Sequence, residues 1–191
     1  MAHGGEAPAV SEVRAVLQRF QDGYTGREIA AVDAFWQELF VPDEDQLIVG
    51  TGHDEWCHGP ESVRELLRSD WEFWGDVAID VPGAHIWVSG DVAWLVAPGI
   101  VSNTVTAEDF DNGTLKSIER TLSGAMNHRA KLLEIGRITA NTLFETGKGD
   151  RYVWPFRFAA VLVRRQGRWL FHQLQFSFPT TRTPDERIVE S

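Results

Sequence analysis

The chain has 191 residues, an ordinary hydrophobic share of 43% and a formal net charge of −10. A chain of this length most simply forms one domain with a sizeable core. The acidic charge argues against nucleic acid or an anionic membrane surface as a partner, because both attract basic faces. The single cysteine, Cys57, excludes an internal disulfide bond, and the first residues lack the apolar run of a signal peptide. No stretch approaches the about 18 consecutive apolar residues of a membrane span, so we expect a soluble cytoplasmic protein.

The first 45 residues predict two amphipathic helices after a short disordered start. Residues 1–10 are small and polar and are expected to be disordered. Ser11 can cap a first helix, whose apolar positions keep helical spacing at Val13, Val16, Leu17 and Phe20. Thr25 and Glu28 have the spacing of a capping box, which predicts a second helix that ends before Pro42.

A short strand and a third helix follow. Residues 46–51 read QLIVGT, a pattern typical of a short buried strand. Gly59-Pro60 then opens a third helix, because proline is tolerated in the first helical turn. Its apolar stripe consists of Val63, Leu66, Leu67, Trp71 and Trp74, and Gly75 ends it.

The rest of the chain favours strands, with one weakly patterned segment. Two strands are predicted, from residue 77 to 88 and from 92 to about 101, joined at Ser89-Gly90-Asp91. Residues 102–152 show only interrupted helical spacing, with a polar loop expected over 108–113, and we interpret them as an inserted segment. A single domain is therefore predicted over residues 11–179, followed by a mobile tail over 180–191.

A long hairpin over residues 153–178 is predicted to carry apolar side chains on both faces. Gln166-Gly167 is a two-residue turn, which predicts Arg164 opposite Trp169 and, farther along, Phe158 opposite Gln175. One face then carries Phe156, Phe158, Ala160, Leu162, Trp169, Phe171, Gln173, Gln175 and Ser177. The other face carries Val161, Val163, Leu174 and Phe176 among others. Neither face is expected to stay bare to water, so one needs helices or a ligand and the other needs more protein.

This order of elements predicts an α+β fold. We expect a curved antiparallel sheet wrapped around the N-terminal helices, a half-cone with an internal pocket between the concave face and the helices. Pro82-Gly83 favours a bulge or kink, which is one way of curving a sheet.

Three stretches resemble the SnoaL-like group of the nuclear transport factor 2-like superfamily, which has a cystatin-like fold. They read VGTGHDEWCHGPESVRELLRSDWE (residues 49–72), GDVAWLV (90–96) and FAAVLVRRQGRWLFHQLQFSFP (158–179). The group typically shows a strand ending in Gly-Thr-Gly, a Trp and Gly before a helix, and a final strand Trp-x-Ile-x-(Gln/His)-x-His-x-Ser. The resemblance covers roughly residues 27–101 and 153–179. It implies the fold more than an activity, since the group includes polyketide cyclases, isomerase-like and dehydratase-like enzymes and proteins without known activity.

Asp70 is the candidate catalytic residue. At about 100° per residue it falls near the middle of the apolar stripe of the third helix. A desolvated carboxyl has a raised pKa, which suits it to remove a proton next to a carbonyl. The alternative is that Asp70 only accepts hydrogen bonds from an indole or a backbone N–H group.

Polar and aromatic side chains are predicted to line the same pocket. Gln173, Gln175 and Ser177 alternate along the last strand and point to one side, where they could orient a ligand carbonyl or simply satisfy each other. Relatives often have His where this chain has Gln175, which cannot titrate. Large rings suited to a flat apolar or aromatic ligand are Trp36, Trp56, Trp71, Phe158 and Phe171.

A loop rich in potential metal ligands precedes the third helix. It contains His53, Asp54, Glu55, Cys57 and His58. Their spacing is not that of the helical HExxH zinc motif, so solvated loop residues are the favoured interpretation. We therefore expect no metal site and no cofactor.

Three functional hypotheses follow. The first is a small-molecule pocket protein acting as a cofactor-independent isomerase, cyclase or dehydratase on an apolar carbonyl compound. The second is a non-catalytic ligand-binding or dimerisation domain, and the third is a partner-binding module that works through residues 102–152. We also expect a homodimer, formed sheet to sheet through Val161, Val163, Leu174 and Phe176.

Overall fold

The computed structural model describes residues 7–52 and 55–179 and divides the chain into two compact units. Residues 102–153 form one unit, and the residues before and after them form the other. The helices are α1 (Pro8–Gly26), α2 (Val32–Leu39), α3 (Gly59–Ser69), α4 (Ala107–Ser123) and α5 (His128–Thr146). The strands are β1 (Leu47–Val49), β2 (Trp56–His58), β3 (Asp76–Ile79), β4 (His85–Ser89), β5 (Val92–Thr104), β6 (Arg151–Arg165) and β7 (Arg168–Ser177). The predicted disordered start and mobile tail fall mostly on residues 1–6 and 180–191, outside the described residues.

The strands form one curved, unclosed sheet in the order β2-β1-β7-β6-β5-β3, and β4 also pairs with β5. The sheet is mixed, because β1 runs parallel to β7 while the β1–β2, β4–β5 and β6–β7 pairs are antiparallel. Helices α1, α2 and α3 pack against strands of this sheet. The predicted α+β fold class is confirmed.

The N-terminal helices follow their apolar spacing more closely than their predicted boundaries. In α1 the predicted positions Val13, Val16, Leu17 and Phe20 are all buried. The helix begins at Pro8 rather than at Ser11 and continues through Gly23, where a Cβ atom would collide with the Phe35 ring of α2. The predicted capping box is wrong, because Thr25 still belongs to α1 and α2 begins only at Val32.

The register of the C-terminal hairpin is correct near the turn and wrong beyond it. Arg164 lies opposite Trp169 and Leu162 opposite Phe171, as predicted. A β-bulge follows, because Val161 pairs with Gln173 and His172 is the extra residue of β7. Since side chains alternate along a strand, this one-residue shift exchanges the two faces of the rest of β7. Leu174 and Phe176 are buried in the core, while Gln173 and Gln175 are exposed.

The core is centred on a cluster of aromatic rings. The Phe20 ring of α1 lies within 6.4 Å, centroid to centroid, of six others: Tyr24, Phe35, Phe40, Phe158, Phe171 and Phe176. Trp74 lies 5.2 Å from Phe176 and 5.5 Å from Phe156, which extends the cluster. Burial of this much ring surface is the main contribution to the stability of the unit that lies outside residues 102–153.

The unit of residues 102–153 contains a pair of packed helices, α4 and α5. Each begins at a side-chain cap: Thr106 accepts a hydrogen bond from the Asp109 N–H, and Asn127 accepts one from the Ala130 N–H. The predicted polar loop over 108–113 is wrong, because this cap starts α4 at Ala107. None of the helices among the described residues is long and apolar enough to cross a membrane.

Candidate functional site

Asp70 lies where α3 changes into a wider helical turn. Residues Asp70–Trp74 form one π-helical turn, and Gly75 ends it with a φ of 110°, a conformation that glycine adopts easily. The stripe of α3 is buried at Val63, Leu67 and Trp71, as its spacing predicts. Asp70 directly precedes Trp71, and π-helical turns of this kind are frequent at functional sites.

The Asp70 carboxyl is half-buried and is held by a tyrosine from α1. The Tyr24 hydroxyl, itself buried, donates a hydrogen bond of 2.8 Å to Asp70 Oδ2. The Trp71 and Trp74 rings meet the Tyr24 ring edge to face, at 6.2 and 6.3 Å between centroids. One carboxyl oxygen is therefore held by the hydroxyl of a tyrosine whose ring is packed against two indole rings.

This environment raises the pKa of the Asp70 carboxyl to near neutral pH. Burial raises the pKa of Asp70 to about 7, the Tyr24 hydrogen bond acts in the opposite direction, and the negative charge of Glu55 raises it further. Burial and the neighbouring Asp70 charge also raise the pKa of Tyr24 well above its ordinary value. Tyr24 thus stays protonated at neutral pH and acts as a hydrogen-bond donor, while Asp70 can exchange a proton.

Glu55 and Cys57, from the segment rich in potential metal ligands, lie near this carboxyl. His53 and Asp54 are outside the described residues, whereas Glu55 accepts a 2.6 Å hydrogen bond from the Gly52 N–H. Burial raises the pKa of the Cys57 thiol, Ser62 lowers it through a hydrogen bond, and the charges of Glu55 and Asp70 raise it. A metal ion at Cys57 would have to displace the thiol proton, because metals bind the thiolate.

Two buried side-chain N–H groups, one of them in the residue after Asp70, have no hydrogen-bond acceptor among the described residues. They are Trp71 Nε1 and Gln46 Nε2. Gln46 is otherwise fixed, since its Oε1 accepts a 3.1 Å hydrogen bond from Trp36 Nε1. A buried N–H group without a partner costs free energy, so each is a place where a ligand oxygen would be favourable. Sequence reasoning missed Gln46, because one glutamine ahead of an apolar strand carries no distinguishing pattern.

The remaining predicted pocket residues are separated by the fold. Leu174 and Phe176 are in the core, so the alternating Gln173 and Gln175 lie on the opposite face of β7. Ser177 is half-buried on the same face as the two glutamines. The three side chains share one face of β7, as predicted, but the structure does not bring them to Asp70. The bulge at His172 puts them on the face opposite to Phe158 and Ala160, whereas the predicted register put them on the same face as those two residues.

The predicted aromatic residues have different positions. Trp36 and Trp71 are buried, whereas the Trp56 side chain on the short strand β2 is 60% exposed. Phe158 and Phe171 are fully buried and pack on Phe20, at 5.4 and 5.2 Å between ring centroids. The two phenylalanines are therefore core residues at these positions.

Comparisons with known proteins give a family and a fold. A family model described as the SnoaL-like domain matches residues 13–131. No curated protein matches the sequence. Among solved structures, a nuclear transport factor 2-like superfamily protein from Salmonella enterica serovar Typhimurium is similar, with a TM-score of 0.58 and 12% identity over 93% of this chain and 95% of that one.

Two further structures are similar at comparable levels. One is a protein from Streptomyces avermitilis named as a candidate dehydratase of the NTF2-like family, with a TM-score of 0.56 and 10% identity over 91% of this chain and 97% of that one. The other is a protein of unknown function from Pectobacterium atrosepticum, with a TM-score of 0.55 and 17% identity over 92% of this chain and 94% of that one. Identities this low establish a shared fold and nothing about activity.

Proposed function

The chain belongs to the SnoaL-like domain family, and we propose that it binds a small apolar carbonyl compound and catalyses a cofactor-independent proton transfer on it. The single observation that carries this proposal is the half-buried Asp70 carboxyl, which accepts a hydrogen bond from Tyr24 and has a raised pKa. A general acid or base is most effective when its pKa lies near the working pH. Asp70, with a pKa raised to about 7, meets that condition.

The proposed step needs no group that the chain lacks. Ionised Asp70 removes a proton from a carbon next to the ligand carbonyl, and the electron pair moves toward the carbonyl oxygen to give an enolate. Asp70, now protonated, returns the proton to another carbon in an isomerisation or to a leaving hydroxyl in a dehydration. Tyr24 holds one carboxyl oxygen in place throughout, because it stays protonated.

Trp71 can donate a hydrogen bond to the oxygen on which negative charge develops. Its Nε1–H group is buried and finds no acceptor among the residues the structure describes. A ligand carbonyl oxygen would satisfy it, and the hydrogen bond would strengthen as the oxygen gains charge. This role replaces the one predicted for Gln173, Gln175 and Ser177, which lie on the other face of the sheet.

The experiment that tests this function does not require the natural substrate. The chain is incubated in D2O with a panel of apolar cyclic and aryl ketones, and exchange of hydrogens next to the carbonyl is followed by proton NMR. Catalysed exchange of at least one compound supports the proposal. Ligand binding without exchange across the panel favours the second function, a non-catalytic domain that sequesters or senses an apolar compound.

We also propose that the chain forms a homodimer through the outer face of the sheet. Trp87 and Trp94 form a cross-strand pair there, with both rings more than 40% exposed and stacked at 6.3 Å between centroids. A groove of about 380 Å³ on the same sheet includes Val96, Ala159 and Gln175. The predicted dimer residues Leu174 and Phe176 are replaced in this proposal, because both are buried in the core.

Trp94→Glu is therefore expected to weaken self-association at least tenfold, because the new charge would be buried against an apolar partner surface. Sedimentation velocity over a range of micromolar concentrations measures the change. Trp56→Glu is the matched control, since Trp56 is also exposed but lies on β2, four strands away from β5 in the sheet order. A wild-type chain that stays monomeric, or equal effects of the two variants, would contradict this interface.

A further inference from the structure

A cluster of three potential metal ligands lies away from Asp70, on the loop between α2 and β1 and on β7. Asp43, Asp45 and His172 each offer one ligand atom, and these three atoms lie within 4.8 Å of one another. His172 Nε2 is 3.4 Å from Asp45 Oδ1. We propose that these three side chains form a binding site for one divalent transition-metal ion, with Zn²⁺ as the best fit.

The backbone builds this cluster from both sides. Just before the loop, Phe40 pairs with Phe171 and the Val41 N–H donates to the Phe171 carbonyl at 3.0 Å. Just after it, Leu47 pairs with Gln173. The loop is thus attached to β7 at the residues before and after His172, and it must pass next to that side chain. Ligands held by paired strands on both sides lose little entropy when a metal binds.

The β-bulge gives His172 its place in the cluster. His172 is the extra residue of β7, where the pairing with β6 shifts by one position. Bulges are known to redirect a side chain, and they occur next to functional sites. The result here is an imidazole that faces two carboxylates from a loop far away in sequence.

The His172–Asp45 distance and the donor types suit a transition metal. In a tetrahedral site with bonds of about 2.0–2.1 Å, ligand atoms are separated by about 3.4 Å, which is the spacing between His172 and Asp45. One imidazole and two carboxylates suit Zn²⁺, Co²⁺ or Mn²⁺, whereas Mg²⁺ and Ca²⁺ prefer oxygen ligands alone. Three protein ligands leave a position for water, consistent with the 76% exposure of the Asp45 side chain.

The surroundings supply an outer partner for one ligand. Arg165 Nη2 lies 3.4 Å from Asp43 Oδ2, and the Gln46 N–H donates to the Asp43 carbonyl at 3.1 Å. The Arg165 contact can orient the Asp43 carboxylate, which can keep this partner while its other lone pairs bind metal, and the Gln46 contact fixes the Asp43 backbone. The alternative is two separate ion pairs, His172 with Asp45 and Arg165 with Asp43, and metal titration distinguishes it from the proposed site.

Calorimetric titration of the chelator-treated full chain with Zn²⁺ tests the proposal. We expect saturable binding of one ion per chain, an increase in the unfolding temperature, and a visible absorption band when Co²⁺ replaces Zn²⁺. His172→Gln and Asp45→Asn are each expected to weaken binding at least tenfold, because each removes one of three ligands. Asp45 is mostly exposed, so its variant keeps the test valid if the His172 variant fails to fold.

His128→Gln is the matched control, since His128 is an exposed histidine at the start of α5 in the other unit. It is expected to bind Zn²⁺ as the wild type does. The proposal is overturned if the wild-type chain shows no saturable binding. It is equally overturned if His172→Gln binds as tightly as the wild type, or if millimolar Mg²⁺ displaces Zn²⁺ from the site.

Discussion

Asp70→Asn is expected to reduce catalysed exchange of hydrogens next to the carbonyl by about 10²–10⁴-fold, the usual contribution of a general base. The amide has the size of the carboxyl and can still accept the Tyr24 hydrogen bond, but it cannot take up a proton. Ligand affinity is therefore expected to stay nearly unchanged. Proton NMR of the exchange reaction gives the rate, and ligand titration gives the affinity.

The pH profile of the same reaction has a definite direction. The base form of Asp70 carries the reaction, so the exchange rate is expected to rise as the pH increases through about 7 and then level off. Tyr24→Phe keeps the carboxyl and removes the hydroxyl that lowers its pKa. The midpoint of the Tyr24→Phe profile is therefore expected to lie at higher pH than that of the wild type.

Two outcomes would separate the functional hypotheses. If Asp70→Asn still catalyses exchange at the wild-type rate, Asp70 is not the general base, and another residue of the chain carries the catalysis. Ligand binding that is equal in the wild type and Asp70→Asn, with no exchange by either, would favour the non-catalytic binding domain.

Phe20→Ala is expected to lower the free energy of unfolding by about 3–5 kcal/mol, the range for truncating a buried phenylalanine. Phe20 is fully buried and its ring contacts six others, so the cavity left behind cannot close without moving several of them. Urea denaturation monitored by tryptophan fluorescence measures the loss.

Phe73→Ala is the matched control, since the Phe73 side chain is 70% exposed and its removal is expected to change stability by less than about 0.5 kcal/mol. A loss below about 1 kcal/mol for Phe20→Ala would mean that the ring cluster is not the centre of the core.

Local patterns in the sequence were sufficient to predict most helices and the place of Asp70. The spacing of Val63, Leu67 and Trp71 defines the buried side of α3, and Asp70 falls on that side whichever turn geometry follows. Its partner Tyr24 could not be found in this way. The contact joins residues 46 apart in sequence, and no local pattern specifies which residue of α1 faces α3.

In the hairpin, one extra residue makes the register predicted from a correct turn wrong beyond that residue. The turn at Gln166-Gly167 gives the right register for the pairs next to it, but nothing in the sequence marks His172 as an extra residue. The shifted register is favoured because it places Leu174 and Phe176, two large apolar side chains, in the core and two glutamines outside it. Both apolar faces made either register acceptable from sequence alone.

A metal site formed by residues that are far apart in sequence could not be predicted from local patterns either. The potential metal ligands in residues 53–58 are close in sequence, whereas Asp43, Asp45 and His172 meet only through the pairing of β7 with the segments on both sides of the loop. The helical spacing in residues 102–152 did not define α4 and α5, because Gly124 separates the two helices and Gly136 lies inside α5. The caps Thr106 and Asn127 were the available signals for them.

The proposed function depends on one carboxyl, that of Asp70, being desolvated by the fold so that it exchanges a proton near neutral pH. Carbon-13 NMR of aspartate-labelled protein measures this most directly, with Asp70→Asn used to assign the Asp70 carboxyl signal. The expected result is a titration midpoint of about 7 for Asp70, because burial disfavours its charged form. A midpoint near the ordinary aspartate value of about 4 would show a solvated carboxylate and contradict the account.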